Sequence, residues 1–214
     1  MVEYVDIYDE ALTPLGSIPK SEAHVTGAWH KSFHCWILRS DTSGDYVVIQ
    51  KRNGSRFHMP NKLDISAAGH YQAGEAISDG VREIEEELGL AVPFEELLYL
   101  GIQLGVYKKG HIFNREFCYT FLCQNNQPIE AYSIDCDEVS GLYQIAVQDG
   151  LDLFCGRADS INAAGIEYLP EKGGVVPVTL TVERSMFTKA TGSYYGKIFM
   201  LAKAYFKGER DLFI

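Results

Sequence analysis

The sequence predicts a mixed α/β or α+β fold, organised as one domain over residues 1–214. Three observations carry this. Short alternating or apolar segments, separated by turn residues, read as strands; one helix with a narrow apolar stripe lies among them; a further helical segment closes the chain. No internal repeat and no linker marks a second domain.

Residues 3–8 alternate polar and apolar, as a strand with one buried face does. Asp9 to Lys20, with two prolines and a glycine, reads as a turn region. Phe33 to Leu38 reads as a more buried strand; Asp41 to Asp45 is a hairpin signal, and Tyr46 to Gln50 returns. Lys51 to Lys62 is a polar loop, and Asp64 to Ala68 a short strand ending at Gly69. A helix is expected after the Ala73-Gly74 turn, ending at Gly89. Leu97 to Tyr107 and Glu116 to Cys123 read as strands joined by a turn at Lys108-Lys109-Gly110-His111. Ala146 to Cys155 suits a helix, Val175 to Phe187 is ambiguous between strand and helix, and residues 194–207 read as the C-terminal helix. Its aromatic neighbours Tyr194, Tyr195, Phe199, Tyr205, Phe206 and Phe213 are expected to cover the core rather than to form a dimer contact, with a monomer or homodimer both open.

Composition excludes several functions. Nineteen Lys and Arg against 29 Asp and Glu give a net charge of −10, which leaves no cationic excess for a nucleic-acid polymer. No apolar run approaches the roughly 20 residues of a membrane span. The start, Met1-Val2-Glu3-Tyr4-Val5-Asp6, does not resemble a signal peptide. Five cysteines without a CxxC pair suggest reduced thiols rather than a disulfide frame or zinc site. A cytoplasmic location is the expectation.

The most informative stretch is Arg82-Glu83-Ile84-Glu85-Glu86-Glu87-Leu88-Gly89-Leu90. At about 100° per residue, Ile77, Val81, Ile84 and Leu88 form the core stripe. Glu83, Glu86 and Glu87 then share another face, while Glu85 points to solvent. Like-charge pairs at this spacing cost a few tenths of a kcal/mol each. A divalent cation, Mg²⁺ or Mn²⁺, would convert that repulsion into binding. A solvated acidic face is the alternative from the helix alone.

Gly69, Glu75 and the Arg82–Leu90 block together resemble the signature of the Nudix family: a glycine, five residues, a glutamate, seven residues, then Arg-Glu-aliphatic-any-Glu-Glu-any-Gly-aliphatic. Here only six residues separate Glu75 from Arg82, and Gly80 near the deletion is expected to absorb part of the irregularity. The resemblance implies an α/β/α sandwich with a mixed central sheet and the carboxylate helix packed against it. It implies a hydrolase that cleaves a diphosphate linkage with divalent metal. By position, Glu86 and Glu87 would be metal ligands and Glu83 a ligand or the base acting on water. Arg82 would orient these carboxylates, and the backbone near Gly69 could add a ligand. Glu116 is a candidate extra ligand or base, or a salt-bridge partner.

His24, Trp29-His30, Gln50-Lys51-Arg52 and Asp64-Ile65-Ser66-Ala67-Ala68-Gly69-His70 resemble one subgroup, the isopentenyl-diphosphate isomerases. These bind a metal through histidines and glutamates and protonate an alkene with a cysteine just before the Gly-His pair. That position is Ala68 here, which offers no acid, so hydrolysis is favoured over isomerisation. His30 and His70 are candidates for a second metal or for phosphate, or are structural. His24 and His34 are expected to be structural. Lys51 and Arg52 are candidate diphosphate contacts, and Trp29 and Phe57 candidate stacking partners for a flat leaving group. A non-catalytic diphosphate sensor is a third reading. Nucleoside diphosphate derivatives, dinucleotides, thiamine diphosphate-like compounds and prenyl diphosphates are all open as the small-molecule substrate.

Overall fold

The computed structural model describes residues 2–56, 59–190 and 193–214. Tyr4–Tyr8 (β1) and Pro14–Pro19 (β2) form an antiparallel hairpin, so the proline-bearing stretch read as a turn contains a strand. Proline is tolerated there because β2 is an edge strand and both prolines sit at its ends. Lys20–Thr26 (α1) follows and stops at Gly27, whose φ of 72° favours glycine.

Trp29–Asp41 (β3) is the central strand, and Gly44–Arg52 (β4) returns from it. Leu63–Asp64 (β5) and Ala67–His70 (β6) are short. The expected helix begins as a 3₁₀ turn, Ile77–Val81, and becomes α-helical only over Arg82–Leu88 (α2). Gly80 is buried in that turn, where a Cβ would meet the Phe33 ring at 2.5 Å. The shortened signature is thus absorbed by a tighter helical pitch and a close approach to β3.

Leu98–Lys109 (β7) and Ile112–Gln124 (β8) form the expected hairpin around Gly110. Val139–Ala146 (β9) leads into Val147–Phe154 (α3). Ser160–Leu169 (β10) and Gly174–Glu183 (β11) form a hairpin. This resolves the ambiguous Val175 segment as strand and adds a strand the sequence pattern did not mark. Tyr194–Phe206 (α4) is the C-terminal helix.

The sheet is mixed. β8 runs parallel to β3 from Trp29 to Leu38, while β1, β6 and β4 pair antiparallel with successive parts of β3. β3 and β4 pair only from Leu38 to Asp41 and then diverge. Where they part, buried Ser66 stitches them: its hydroxyl accepts from the Ile37 amide at 2.8 Å and donates to the Val48 carbonyl at 2.5 Å. This replaces the missing ladder bonds and holds open the gap in which β5 and β6 lie.

Side-chain alternation along β3 divides the core between the two sheet faces. Phe33, Cys35 and Ile37 join Ile84 and Leu88 of α2 on one face. Trp36 and Leu38 join α3 and α4 on the other, with Tyr194, Tyr195, Ile198 and Phe199 buried there. Most C-terminal aromatics therefore cover the core as expected, whereas Phe213 is 80% exposed. Helices on both faces of a mixed sheet make the α/β/α sandwich. No helix among the described residues is long and apolar enough to cross a membrane.

Candidate active site

α2 is anchored by Ile84 and Leu88, and Gly89 ends it in the left-handed conformation (φ 63°). That anchoring turns Glu83 and Glu87 toward the sheet, where they are 8% and 4% exposed, and leaves Glu85 and Glu86 outside. Gly69 makes room for Glu83: a Cβ there would lie 2.0 Å from the Glu83 carboxyl carbon. Arg82 organises the surroundings. It donates to Glu75 (2.9 Å), Glu86 (3.0 Å) and the His70 carbonyl (2.9 Å), and its guanidinium lies 2.7 Å from Glu83. Glu75 also accepts from the Gln72 amide at 2.7 Å, so it ties the shortened loop to the helix. Glu87 accepts from the Gln50 amide group (3.1 Å) and the Ala68 amide (2.9 Å), neither of which carries charge.

Burial raises the pKa of Glu83 to about 7 against the pull of Arg82, and raises Glu87 well above the usual carboxylate range. Two buried carboxylates at this cost are what a bound cation would relieve. Oxygen donors of this kind suit a hard divalent ion.

A second constellation is assembled from four separate elements. His24 comes from α1, His30 from β3, His70 from β6 and Glu116 from β8. The sheet register sets it: His30 lies opposite Glu116, and Ser32, two residues on, lies opposite His70. One ligand atom from each of the four falls within 4.8 Å of the others. His70 Nε2 is 2.7 Å from Glu116 and 3.3 Å from His24 Nε2, and His30 Nε2 is 3.8 Å from Glu116.

His30 Nδ1 lies 2.9 Å from the Ala28 carbonyl, to which it donates, and this orientation turns Nε2 toward Glu116. That Nε2 is buried and has no hydrogen-bond partner. Burial, reinforced by the neighbouring histidines, holds the pKa of His24 at about 3. Burial also holds His70 at about 4 despite the opposing pull of Glu116. The neutral imidazoles of His24 and His70 and the orphaned Nε2 of His30, facing a carboxylate held ionised, fit a divalent metal; nitrogen-rich donors suit a borderline ion rather than Mg²⁺.

Glu83 and Glu86 of the first constellation and His24, His70 and Glu116 of the second line one cleft of about 1260 Å³. The structure therefore separates the expected ligands. Glu116 groups with the three histidines and also with His34 and Cys118, and Glu83, Glu86 and Glu87 belong to neither grouping among the described residues. His24, expected to be structural, stands in the cluster as well, and its place there is too dispersed in sequence to be read. His34 lines the cleft and contacts Tyr194 at 2.9 Å. Lys51 pairs with Glu167 at 2.6 Å and does not line the cleft; Arg52 does, held by Asp64 at 3.0 Å. Lys20 and Arg56 add cations at the cleft that sequence reasoning missed, each held by a glutamate, Glu3 at 2.9 Å and Glu138 at 2.6 Å. Trp29 stacks on Phe117 (4.7 Å between centroids) outside the cleft, and Phe57 lies outside the described residues.

Comparison with known proteins identifies the fold. The NUDIX domain profile matches residues 28–149. An uncharacterized Nudix hydrolase of Clostridium acetobutylicum is 36% identical over 193 residues, covering 90% of this chain and 93% of that protein. Isopentenyl-diphosphate Delta-isomerase of Aliivibrio fischeri is 31% identical over 103 residues, 47% of this chain and 57% of that protein. A crystal structure of a Deinococcus radiodurans protein shares the fold with a TM-score of 0.50 at 19% identity, over 72% of this chain and 90% of that one. The chain belongs to the NUDIX family and is a Nudix hydrolase, an enzyme acting on acid anhydrides.

Proposed function

We propose that the chain is a metal-dependent hydrolase that cleaves the diphosphate linkage of a small organic diphosphate. The observation that carries this reading is the burial of Glu83 against Gly69 and of Glu87 against the Ala68 amide, beside a cleft lined by His24, His70 and Glu116 of the histidine cluster. Glu83, Glu86 and Glu87 would hold Mg²⁺ or Mn²⁺, with the backbone near Gly69 as an added ligand, and the histidine cluster a second ion. When bound, such ions supply charge neutralisation for the phosphoryl oxygens and a more acidic water.

The chain's own groups do the rest. Glu83, buried against Gly69 beside Arg82, would serve either as a ligand of the Mg²⁺ or Mn²⁺ ion or as the base that accepts a proton from the attacking water. Arg82 fixes the carboxylates through its four contacts, and Arg52, Arg56 and Lys20 exchange their acidic partners for phosphate oxygens. His70 takes its place through the cluster rather than by touching phosphate. The substrate panel is decisive: with Mg²⁺ or Mn²⁺ the wild type releases phosphate from organic diphosphates, and Glu83→Gln and Glu87→Gln lose about 10²–10⁴-fold. Equal rates in the variants would remove the assignment.

The histidine cluster favours one competing reading, an isomerase of isopentenyl diphosphate, given the similarity to isomerases over part of the chain. Ala68 opposes it, because alanine cannot protonate an alkene. Deuterium uptake from solvent into isopentenyl diphosphate would establish isomerisation, and its absence leaves hydrolysis.

A further inference from the structure

The face of β3 that carries His30 continues inward with Ser32 and His34 before Trp36 seals it. The neighbouring strands extend the same floor. Ser32 lies opposite Cys118 on β8, and His34 lies opposite Ala68 on β6 and Thr120 on β8. Ser32, His34, Ala68, Cys118 and Tyr194 all line the cleft. This floor adjoins the histidine–glutamate cluster, since His34 and Cys118 each have a ligand atom within 4.8 Å of Glu116, and apart from Ala68 its own side chains carry hydrogen-bonding groups without fixed charge.

The floor has unused hydrogen-bonding capacity. Ser32 is 3% exposed, and its hydroxyl has no hydrogen-bond partner of normal geometry. The Cys118 thiol beside it is a weak partner at best. The Asn114 side-chain carbonyl, also in the cleft, is buried and unpartnered. His34 is held in a fixed orientation: its Nδ1 lies 2.9 Å from the Tyr194 hydroxyl, which accepts from the Trp36 indole at 3.0 Å. Among the described residues no hydrogen bond is assigned to the other ring nitrogen of His34, and the ring stands near Glu116 and Cys118 at the cleft. A hydrocarbon placed here would leave Ser32 and His34 unpaired, whereas a hydroxyl group can both donate and accept.

We propose that Ser32 and His34, the latter held by Tyr194, form an uncharged hydrogen-bonding subsite for hydroxyl groups on the carbon skeleton attached to the diphosphate. The substrate class is then a hydroxylated organic diphosphate, of polyol or sugar type, and not a prenyl diphosphate. This rests on the hydrolase reading for the chemistry but not for the binding. Ala68 is the small residue opposite His34, and both line the cleft. Sites built to hydrogen-bond a hydroxyl discriminate strongly against analogues lacking it, because the buried partners are then stranded.

The test is binding of two diphosphates of equal carbon number, a five-carbon alditol diphosphate and isopentyl diphosphate, by titration calorimetry on the full chain with Ca²⁺. The alditol compound is expected to bind at least about tenfold more tightly. Ser32→Ala and His34→Phe should each shrink that ratio, while His34→Gln, which keeps a hydrogen-bonding group, should retain part of it. Circular dichroism on the same samples separates loss of selectivity from loss of fold, and Ser32→Ala removes only one oxygen. Equal affinities, tighter binding of isopentyl diphosphate, or no binding of either overturns the subsite. Phosphate release with Mg²⁺, measured separately, tests the hydrolase reading: selective binding without release would retain the subsite and remove that reading.

Discussion

The carboxylates of α2 and the His24, His30, His70 and Glu116 cluster both reach the same cleft, through Glu83 and Glu86 in one case and His24, His70 and Glu116 in the other, but are built in opposite ways. The first comes from a single helical turn, with spacing set by the helix itself. The second draws one residue from each of four elements, and only the sheet register and the docking of α1 bring them together. The donors differ accordingly. Oxygen-rich Glu83, Glu86 and Glu87 suit a hard ion, and three imidazoles with one carboxylate suit a borderline one. A local pattern is visible in a sequence, while a dispersed one is visible only after folding.

Removing a nitrogen ligand is the sharpest way to separate the two regions. His30→Ala is expected to abolish retention of Mn²⁺ or Zn²⁺ at the cluster, a loss larger than the roughly 10–100-fold typical of losing a supporting partner. Metal analysis after dialysis should show about one ion fewer per chain, with Glu83→Gln leaving that ion in place. If both variants lose the same ion, the two regions are one site.

Gln50 tests the other side of the comparison. It supports Glu87 from β4 without touching the cluster. Gln50→Leu should weaken Mg²⁺ binding at α2 by about 10–100-fold, read by calorimetry, and leave Zn²⁺ retention at the cluster unaltered.

The cost of burying Glu83 predicts a pH effect in the metal-free protein. Its pKa is raised from an ordinary 4.5 to about 7, so its stabilising contribution is complete below 4.5 and lost as pH rises through 7. Glu83→Gln should therefore match the wild type near pH 4 in urea unfolding and exceed it at pH 8 by on the order of 2 kcal/mol. His24 and His70, with lowered pKa values, give the opposite trend at acid pH in both proteins, so it cancels in the difference. A constant offset across this range would remove burial as the cause.

The smallest effect is expected at Asp6. Its carboxylate accepts from the Gly74 amide at 2.8 Å and from Ser17 at 2.5 Å, strapping the N-terminal hairpin to the shortened loop before α2. Asp6→Ala should lower stability by about 1 kcal/mol, measured by urea unfolding.

Much of the fold was legible because its signals are short-range. Alternation marked β1, turn residues marked the β3–β4 and β7–β8 hairpins, and Gly89 marked the end of α2. The signals failed where tertiary context decides. β2 carries prolines that only an edge position tolerates, and β10 has a glycine whose Cβ would meet the Leu142 carbonyl at 2.1 Å in the neighbouring strand. α1 was hidden because it is short and its His24 is turned inward by contacts with other elements. Lys51 and Arg52 looked equivalent in sequence, yet adjacent strand residues face opposite ways: Lys51 meets Glu167, and Arg52 meets Asp64 in the cleft.

By itself, the sequence determined the identity of the carboxylate helix, since 3.6-residue periodicity fixes which side chains share a face wherever that helix is placed. It also determined that Ala68 cannot supply an acid, because that follows from the side chain alone. Only the tertiary structure decided which glutamates are buried, which histidines meet, and that Glu116 joins them. Strand register and helix docking set those distances, and they are properties of the whole chain packing at once.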